Sequence, residues 1–251
     1  MKSKKGGLST SVIKTIALII MFVDHFAAGV VVRMPNLHDH LAVYQWMRHI
    51  GRISFPIYCF FIVEGFYKTR DRKRYARRLA ACALISEVPF DLAIYGKVFY
   101  LWHQNVFVTL LVGLFAIWAL ESVCNIKEMS KGVKIVTSLC TGVGFALLAE
   151  VLFTDYGSFG VLCIIMMYVV RRLTEHKIKF WAPVVLLAGI VVLTILSYTE
   201  IWALLGLPLM FFYKGKKGWN AKWFFYLFYP VHLLVIAVIA LCLGVQRWGL
   251  F

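Results

Sequence analysis

The sequence predicts an all-α membrane protein, a bundle of about nine transmembrane helices with its N-terminus in the cytoplasm. Its 251 residues are 61% hydrophobic and 16% charged, and the mean hydropathy is +0.79, whereas a soluble domain carries ~25% charged residues. The apolar residues form long continuous runs, which is typical of helical spans and unlike the short alternating segments of a transmembrane β-barrel. No repeat or linker divides the chain, so residues 1–251 are expected to form a single domain.

Nine apolar runs are candidate spans, because a hydrocarbon layer ~30 Å thick requires about 20 residues of helix. The first run is longer than the apolar core of a signal peptide, so it is expected to remain in the mature protein. The residues between the runs are expected to form brief loops. In chain order the runs are 12–32, 49–67, 75–95, 104–121, 133–153, 156–171, 181–198, 200–213 and 223–243, of which 156–171 and 200–213 are the shortest.

The basic residues support this span count and this orientation. With the N-terminus inside, 22 of the 27 lysines and arginines fall on the cytoplasmic side, which is the asymmetry that membrane proteins generally have. The same asymmetry accounts for most of the net charge of +15, so a nucleic-acid partner is not expected. The six cysteines are scattered and form no C-x-x-C motif, so neither a disulfide framework nor a metal site is predicted.

Asp24 and His25 lie side by side within the first apolar run. An ionisable group at membrane depth costs at least ~2.5–3.5 kcal/mol, so it usually has a function or a partner. Adjacent side chains point about 100° apart around a helix, so we expect one to face a cavity and the other to be held by a neighbouring helix. An imidazole can accept a proton near neutral pH and return it. His25 is therefore the candidate general base.

Other polar residues map to the outer half of the predicted spans, at the depth of His25. Glu87 and Asp91 are four residues apart on one face of the third span, and Arg52 is the nearest candidate counter-charge. Asn105, at the start of the fourth span, is a candidate donor to an oxyanion, as is Arg52. Polar groups at one level of several helices indicate a shared, hydrated cavity. The alternative is a buried ion-pair network that only fixes helix packing.

Two further groups of residues are candidate ligand contacts. Tyr229 and His232 share one face of the last span beside Pro230, where an interfacial aromatic belt is the alternative. A stripe of four arginines runs from a basic loop into the third span, and forked guanidinium groups at a helix N-terminus favour phosphate. Ordinary anchoring against anionic lipid is the alternative for this stripe. Its members are Arg70, Arg74, Arg77 and Arg78.

Six short segments form a pattern that is far more specific in combination than singly. They are Val23-Asp24-His25, Gly51-Arg52 through Glu64-Gly65, Ser86-Glu87-Val88-Pro89-Phe90-Asp91, Gln104-Asn105 through Thr109, Asp155-Tyr156-Gly157 and Phe228-Tyr229-Pro230-Val231-His232. Together they resemble the TraX family over essentially the whole chain. More distantly, the layout resembles the acyltransferase-3 and heparan-α-glucosaminide N-acetyltransferase membrane enzymes.

The resemblance implies an activity and a cofactor. TraX is known for N-terminal acetylation of conjugative pilin, and the more distant enzymes move acetyl groups from cytoplasmic acetyl-CoA to an acceptor at or across the membrane. In acyltransferase-3 proteins a histidine late in the first span is catalytic, which His25 matches. Their R-x-x-R motif, implicated in acyl-CoA use, is matched by Arg74-Tyr75-Ala76-Arg77. The resemblance also implies a bacterial cytoplasmic membrane, but the pilin substrate is not carried over because the sequence has no pilin context.

We therefore expect an acetyl-CoA-dependent acyltransferase, with N-acetyl transfer favoured, acting on a peptide, glycan or small molecule. Direct attack and an acetyl-histidine intermediate both remain open. A proton-coupled transporter with the same buried acids and histidine is the main alternative, although the chain has no evident internal repeat. The expected partners are membrane lipids, acetyl-CoA and an unidentified acceptor, and a homo-oligomer is left open. The catalytic candidates are Asp24, His25, Arg52, Glu87, Asp91 and Asn105, and the candidates for binding acetyl-CoA are the four arginines, Tyr229 and His232.

Overall fold

The computed structural model describes residues 7–175, 177–220 and 222–249, and 77% of the described residues are helical. Strands are absent from these ranges, where the extended pairing consists of three isolated β-bridges. The described residues form ten α-helices and two 3₁₀ helices. The α-helices are α1 (Thr10–Gly29), α2 (Leu37–Gly51), α3 (Ser54–Lys68), α4 (Arg72–Tyr95), α5 (Val106–Cys124), α6 (Lys131–Val151), α7 (Gly157–Thr174), α8 (Trp181–Leu196), α9 (Leu207–Phe211) and α10 (Lys222–Cys242), and the 3₁₀ helices are Val31–Arg33 and Tyr198–Gly206.

Six helical segments of the described chain are long enough and apolar enough to cross a bilayer. They are Thr10–Arg33, Leu37–Lys68, Val106–Cys124, Lys131–Val151, Gly157–Thr174 and Trp223–Cys242. Helix α8 and the segment Tyr198–Phe211 are apolar but shorter, and α4 begins with basic residues and carries Glu87 and Asp91 in its second half. The chain is therefore a transmembrane helical bundle, in which six of the nine predicted spans meet both criteria.

The segment before the second predicted span is a helix, where the sequence predicts a brief loop. Helix α2 begins after Asn36, whose backbone is left-handed with φ of 59°. Asp39 in its first turn and Arg48 and His49 in its last turn carry charges that complement the helix dipole. Most of its side chains are exposed or half-buried. Because its polar and apolar residues are mixed, a search for apolar runs does not find it.

Side-chain caps explain where two helices of the site begin. The carboxylate of Asp71 accepts a hydrogen bond from the backbone N–H of Arg74 at 2.8 Å, and the side-chain oxygen of Asn105 accepts one from Phe107 at 3.0 Å. Each cap satisfies a backbone donor that the first helical turn leaves free. The bond from Arg74 also lowers the pKa of Asp71, because it stabilises the charged carboxylate.

The bundle has two ends, which we call the basic end and the far end. At the basic end α1, α4 and α10 begin and α3 ends, and Leu8 pairs with Tyr213 in a β-bridge. At the far end α1 finishes, and Gln104 pairs with Thr154 in a second bridge. The sequence-based charge count also used Lys2, Lys4 and Lys5, which lie outside the described residues.

Two main apolar clusters lie in the interior of the bundle, beside a small third one that joins α5, α6 and α7. The larger one joins α3, α5, α7 and α8 around Phe60, Phe66 and Met167. The smaller one joins α1, α4 and α10 around Phe90 and Leu233. Side chains from both clusters line a central cavity, so the fold places its main internal space between two packed halves.

A buried ion network fastens α3 to α7 near the basic end. Arg171 lies 2.8 Å from Glu64 and 2.8 Å from Glu175, and Glu64 lies 2.5 Å from Lys68. The side chains of Arg171 and Glu64 are only 3% and 4% exposed, and the guanidinium stacks 3.9 Å above the ring of Tyr67. Buried charges are tolerated when they are paired in this way. The network has a structural role, because none of these five residues lines the central cavity.

Candidate functional site

The central cavity has a volume of about 630 Å³ and runs along α1. Lys14 and His25 both line it and lie eleven positions apart on that helix, which corresponds to about 16 Å of helix length. The wall between them is mainly apolar, with Leu18, Met21 and Phe107 among its residues. Charged, imidazole and phenol groups return at the far end, where the lining includes Asp24, His25, Arg48, Arg52, His103, Asp155, Tyr156 and Glu200.

His25 is paired with His232 of α10. Its Nδ1 lies 2.7 Å from Nε2 of His232, and the two ring planes differ by only 14°. On the other side of His232, Nδ1 lies 2.9 Å from the carbonyl oxygen of Phe228. His25 lines the cavity, whereas His232 is 3% exposed and lies behind it. From the sequence we expect His232 to contact the cofactor, but the structure places it against His25.

The hydrogen bonds of this pair determine where its protons are in the neutral state. The carbonyl oxygen of Phe228 can only accept, so Nδ1 of His232 carries the proton and its Nε2 is an acceptor. Nδ1 of His25 therefore donates to His232. Nε2 of His25 is left unprotonated, which is the state that a general base requires.

Asp24 is held by the neighbouring helix α2. One of its carboxylate oxygens lies 2.6 Å from Arg48, and Asp24 and His25 both line the cavity. We expected only one of the two to face a cavity. The structure instead anchors each to a different helix, Asp24 to α2 and His25 to α10. Gly51 permits this approach of α2, because a Cβ atom there would lie 2.0 Å from the Asp24 carboxylate.

Arg52 has a different partner from the one that the sequence suggests. Its Nη1 lies 2.9 Å from Glu200, whose side chain is 2% exposed, and its Nε donates to the carbonyl of Arg48 at 3.3 Å. The expected pairing of Arg52 with Glu87 and Asp91 is wrong. The reason is that α2 packs on α1 and on the 3₁₀ helix Tyr198–Gly206, which brings Arg52 to that 3₁₀ helix.

Glu87, Asp91 and Asn105 stabilise the junction between α4 and α5. The amide of Asn105 donates to the carboxylate of Glu87 and, at 2.8 Å, to the carbonyl of Ala83. Asp91 accepts from the backbone N–H of Tyr100 at 2.8 Å. None of the three lines the cavity. The sequence predicts them as catalytic candidates beside His25, but in the structure their hydrogen bonds hold the connection 96–105 between the two helices.

His103 and Asp155 come from two far-end loops and meet at the cavity. Nε2 of His103 lies 3.5 Å from the Asp155 carboxylate, and its Nδ1 is hydrogen-bonded to the hydroxyl of Tyr95. The Asp155 carboxylate raises the pKa of His103, because it stabilises the charged imidazolium. This pair adds a second imidazole and a carboxylate to the wall that contains His25.

Tyr229 and the arginines occupy different places. Tyr229 lines the cavity with its ring at 76° to that of His25 and 5.9 Å between the ring centroids. Three of the arginines, Arg74, Arg77 and Arg78, line a separate groove between α4 and α10, which also contains Trp223 and Pro230. The fourth, Arg70, is exposed in the loop before α4 and lines neither space.

The groove and the cavity share one residue. Tyr226 lines both spaces, and its hydroxyl accepts a hydrogen bond from Arg78 at 3.4 Å. The arginine stripe is therefore next to the cavity without being part of its wall. Among the described residues, no group of three or more His, Cys, Asp and Glu side chains is placed to hold a metal ion.

Comparison with known proteins gives a family for this arrangement. The model of the TraX protein family matches residues 9–240, which include every residue of the cavity wall. The chain belongs to the TraX family. It is also similar to a protein of Dichelobacter nodosus described as "probable fimbrial assembly protein FimC, serogroup H1", with 29% identity over 93% of this chain and 96% of that protein. No solved structure matches the chain.

Several cavity residues of this TraX-family chain were not singled out by the sequence analysis as site residues. In the sequence, Lys14 is one of the 22 basic residues on the predicted cytoplasmic side, and His103, Asp155 and Glu200 are among the polar residues at the predicted depth of His25. For Asp155 and Tyr156 a signal was available, since both lie in one of the segments that resemble TraX. For Lys14 the signal was a single lysine at the start of an apolar run, which also fits ordinary membrane anchoring.

Proposed function

We propose that this chain is an acetyl-CoA-dependent acyltransferase of the bacterial cytoplasmic membrane, with an amine or a hydroxyl as acceptor. The observation that carries the proposal is the pair of His25 and His232, joined at 2.7 Å at the cavity wall. The pair leaves Nε2 of His25 free to accept a proton, which is what attack of an amine or hydroxyl on a thioester requires. N-acetyl transfer is favoured.

The proposal includes nine spans and a cytoplasmic N-terminus. Helices α4 and α8 and the segment Tyr198–Phe211 would cross the membrane together with the six longer segments. The support for this orientation is the concentration of lysine and arginine at the basic end. Acetyl-CoA would then enter the cavity from the basic end, and His25 would lie toward the opposite side of the membrane.

The chemical step needs a base for the acceptor's proton and a positively charged group that stabilises the oxyanion of the tetrahedral intermediate. Nε2 of His25 takes the proton of the acceptor as its nitrogen or oxygen attacks the thioester carbonyl. The tetrahedral intermediate then expels the CoA thiolate, which takes up that proton from the imidazolium. The products are the acetylated acceptor and free CoA thiol. If Nε2 of His25 attacks the thioester first, CoA leaves as the thiolate and an acetyl-histidine forms; the acceptor then attacks the acetyl group, Nε2 of His25 leaves, and the acceptor's proton passes to the CoA thiolate.

Arg52 is the proposed electrostatic partner of the oxyanion. Within the described chain its Nε and Nη1 bond to Arg48 and Glu200, and Nη2 is the donor that remains for an oxyanion at the cavity wall. Asn105 is no longer a candidate, because its amide already serves Glu87 and Ala83 away from the cavity. Asp24 acts through Arg48, by holding α2 against the site.

The acceptor is proposed only as a chemical class. The relative from Dichelobacter nodosus is named for fimbrial assembly, so a peptide amine is the first acceptor that we would test on this chain. Glycan hydroxyls and small amines would be tested beside it.

A proton-coupled transporter is the second candidate function. The observation that favours it is the cavity itself, which continues from Lys14 to Glu200 and contains two histidines and three carboxylates. Chains of such groups serve as proton relays in membrane transport. Proton uptake into liposomes without any thiol release from acetyl-CoA would favour this function over acyl transfer.

The first test is binding and cleavage of acetyl-CoA by the purified protein. Wild type is expected to bind CoA and to release free thiol from acetyl-CoA when a mixture of amines is present. His25→Ala is expected to bind CoA and release no thiol above background, whereas His40→Ala, an exposed histidine on α2 outside the cavity, should behave as wild type. Absence of CoA binding in all three proteins would remove the enzyme proposal.

A further inference from the structure

We propose that Lys14 binds a phosphate group of the ligand that occupies the central cavity. The inference builds on the proposed function, under which that ligand is the acyl donor. Lys14 belongs to the second turn of α1 and lines the same cavity as His25. An extended donor could therefore place a phosphate at Lys14 while its thioester reaches His25, about 16 Å along the helix.

Lys14 differs from the other enclosed charged groups of the cavity wall, while Lys217, which also lines the cavity, is exposed to solvent. Asp24 pairs with Arg48, Arg52 with Glu200, and Asp155 with His103. In the described chain no carboxylate lies within ion-pair distance of the Lys14 ammonium. Enclosed charges without a counter-charge are unfavourable. A ligand anion would supply the counter-charge that the protein does not.

The surroundings of Lys14 hold its ammonium without neutralising it. The ammonium lies over the rings of Phe61 and Phe225, at 5.1 and 5.8 Å from the ring centroids, and both phenylalanines line the cavity. Cation–π contacts stabilise a cation modestly and provide no negative charge. Lys217 and Asn220 are exposed and line the cavity at the same end, so the entrance there has polar side chains.

The N-terminus of α1 is not the anion site. The backbone N–H groups of its first turn already have partners. Those of Thr10 and Ser11 donate to the carbonyls of Lys216 and Lys217 at 2.8 and 3.2 Å. The next N–H, of Val12, donates to the hydroxyl of Ser9 at 3.4 Å. The ammonium of Lys14 is therefore the enclosed cation available to an anion in this region, with the exposed Lys217 at the entrance.

The arginine groove is the competing location for the phosphates. Its arginines lie outside the cavity wall, and the Arg74 side chain is 70% exposed with Asp71 3.4 Å away. Exposed charges are largely screened by solvent. A phosphate bound there would be separated from the path to His25 by Tyr226, whereas a phosphate at Lys14 would lie on that path.

The test compares binding of CoA and of pantetheine, which has the same thiol arm and no phosphate. Lys14→Gln is expected to raise the Kd for CoA at least about tenfold and to leave pantetheine binding unchanged, because only CoA loses a charge-assisted contact. Lys14→Arg should retain most of the CoA affinity. The matched control is Lys216→Gln, an exposed lysine at the same end outside the cavity wall, which should bind CoA as wild type does.

Two further measurements separate this inference from misfolding and from the proposed function. Without ligand, the Tm of Lys14→Gln should equal or exceed that of wild type, because an unpaired enclosed charge is removed. Inorganic pyrophosphate should raise the Tm of wild type and not that of Lys14→Gln, whatever reaction the protein catalyses. The pyrophosphate arm is run in detergent without anionic lipid and repeated with phosphatidylglycerol, which should compete if lipid phosphates use the same site.

Each outcome has a defined reading. Unchanged CoA binding by Lys14→Gln, or an equal loss for CoA and pantetheine, would overturn the inference while leaving the proposed function standing. A loss of CoA binding only in Arg74→Gln/Arg77→Gln would also overturn it and return the phosphates to the arginine groove. Lysine-dependent binding of CoA or pyrophosphate without acetyl transfer would support the anion site and remove the proposed function.

Discussion

Replacing His232 is the perturbation that most sharply separates a positioning role from a packing role. The bond from Nδ1 of His25 to His232 is 2.7 Å long and keeps the free lone pair of His25 on Nε2. In His232→Ala this acceptor is gone, so the His25 ring can rotate, and proton exchange with water can populate the tautomer that has its proton on Nε2. A misplaced catalytic group commonly costs about 100-fold in rate, which corresponds to about 2.7 kcal/mol in the activation free energy.

The effect on stability should be of similar size to the effect on rate. Leaving one buried donor unsatisfied costs about 1–3 kcal/mol, so the variant should fold with a lowered Tm. His232→Gln is the conservative comparison, because its amide oxygen can accept the proton of His25 Nδ1. We expect His232→Gln to recover part of the lost kcat and His232→Leu to recover none, with little change in the KM for acetyl-CoA in either.

The assay is thiol release from acetyl-CoA together with ¹⁵N spectra of the His25 imidazole. Wild type should show Nε2 unprotonated and Nδ1 protonated, and His232→Ala should show a mixture of the two tautomers. The reasoning is refuted if His232→Ala keeps a wild-type kcat, or if kcat falls while the His25 tautomer stays unchanged. A fall in Tm with unchanged kcat would assign His232 to packing alone.

Three other predictions follow from the structure. Arg171→Leu should lower the unfolding free energy by about 1–3 kcal/mol, because Glu64 would lose its buried counter-charge and keep only the more exposed Lys68, and the double variant with Glu64→Leu should recover part of the loss in detergent unfolding curves. The pair of His103 and Asp155 should stabilise the fold below the unfolded histidine pKa of about 6.5, and this contribution should disappear as pH rises through the raised pKa of His103. A plot of Tm against pH should thus lose that step in His103→Gln. Gly51→Ala should lower the Tm by forcing α2 away from α1, at a cost of about 1–3 kcal/mol.

Each of these predictions has an outcome that contradicts it. If Arg171→Leu and the double variant Arg171→Leu/Glu64→Leu are equally stable, Arg171 and Glu64 are not energetically coupled. A step in Tm that persists in His103→Gln would assign the titration to another group. A wild-type Tm for the alanine variant at Gly51 would mean that the close approach to the Asp24 carboxylate is relaxed at little cost.

The sequence identified His25 because an ionisable group in an apolar run is conspicuous without any tertiary information. It also indicated the depth of the site, since the acids, His103 and Arg52 lie at one level of the predicted spans. It could not pair them. Which carboxylate meets Arg52 depends on how α2 packs, and α2 itself was missed because its composition is mixed. The partner of His25 is 207 positions away, and no local pattern records such a contact.

Asn105 shows how a polar residue before an apolar helix can be misread. An asparagine at that position is also the usual signature of a helix N-cap, and the structure gives it that role with Glu87 and Ala83 as further partners. The cavity wall, by contrast, is a property of packing. Lys14 and Lys68 look alike in the sequence, but only Lys14 faces the cavity, while Lys68 pairs with Glu64.

The most direct test of the central claim is to follow the labelled acetyl group of acetyl-CoA in proteoliposomes that contain a panel of peptide amines. Wild type and His40→Ala are expected to transfer the label to an acceptor or to the protein itself, and His25→Ala to leave it on CoA. Transfer by His25→Ala at the wild-type rate would contradict His25 as the base. Absence of transfer by wild type, with CoA still bound, would contradict acetyl transfer as the function.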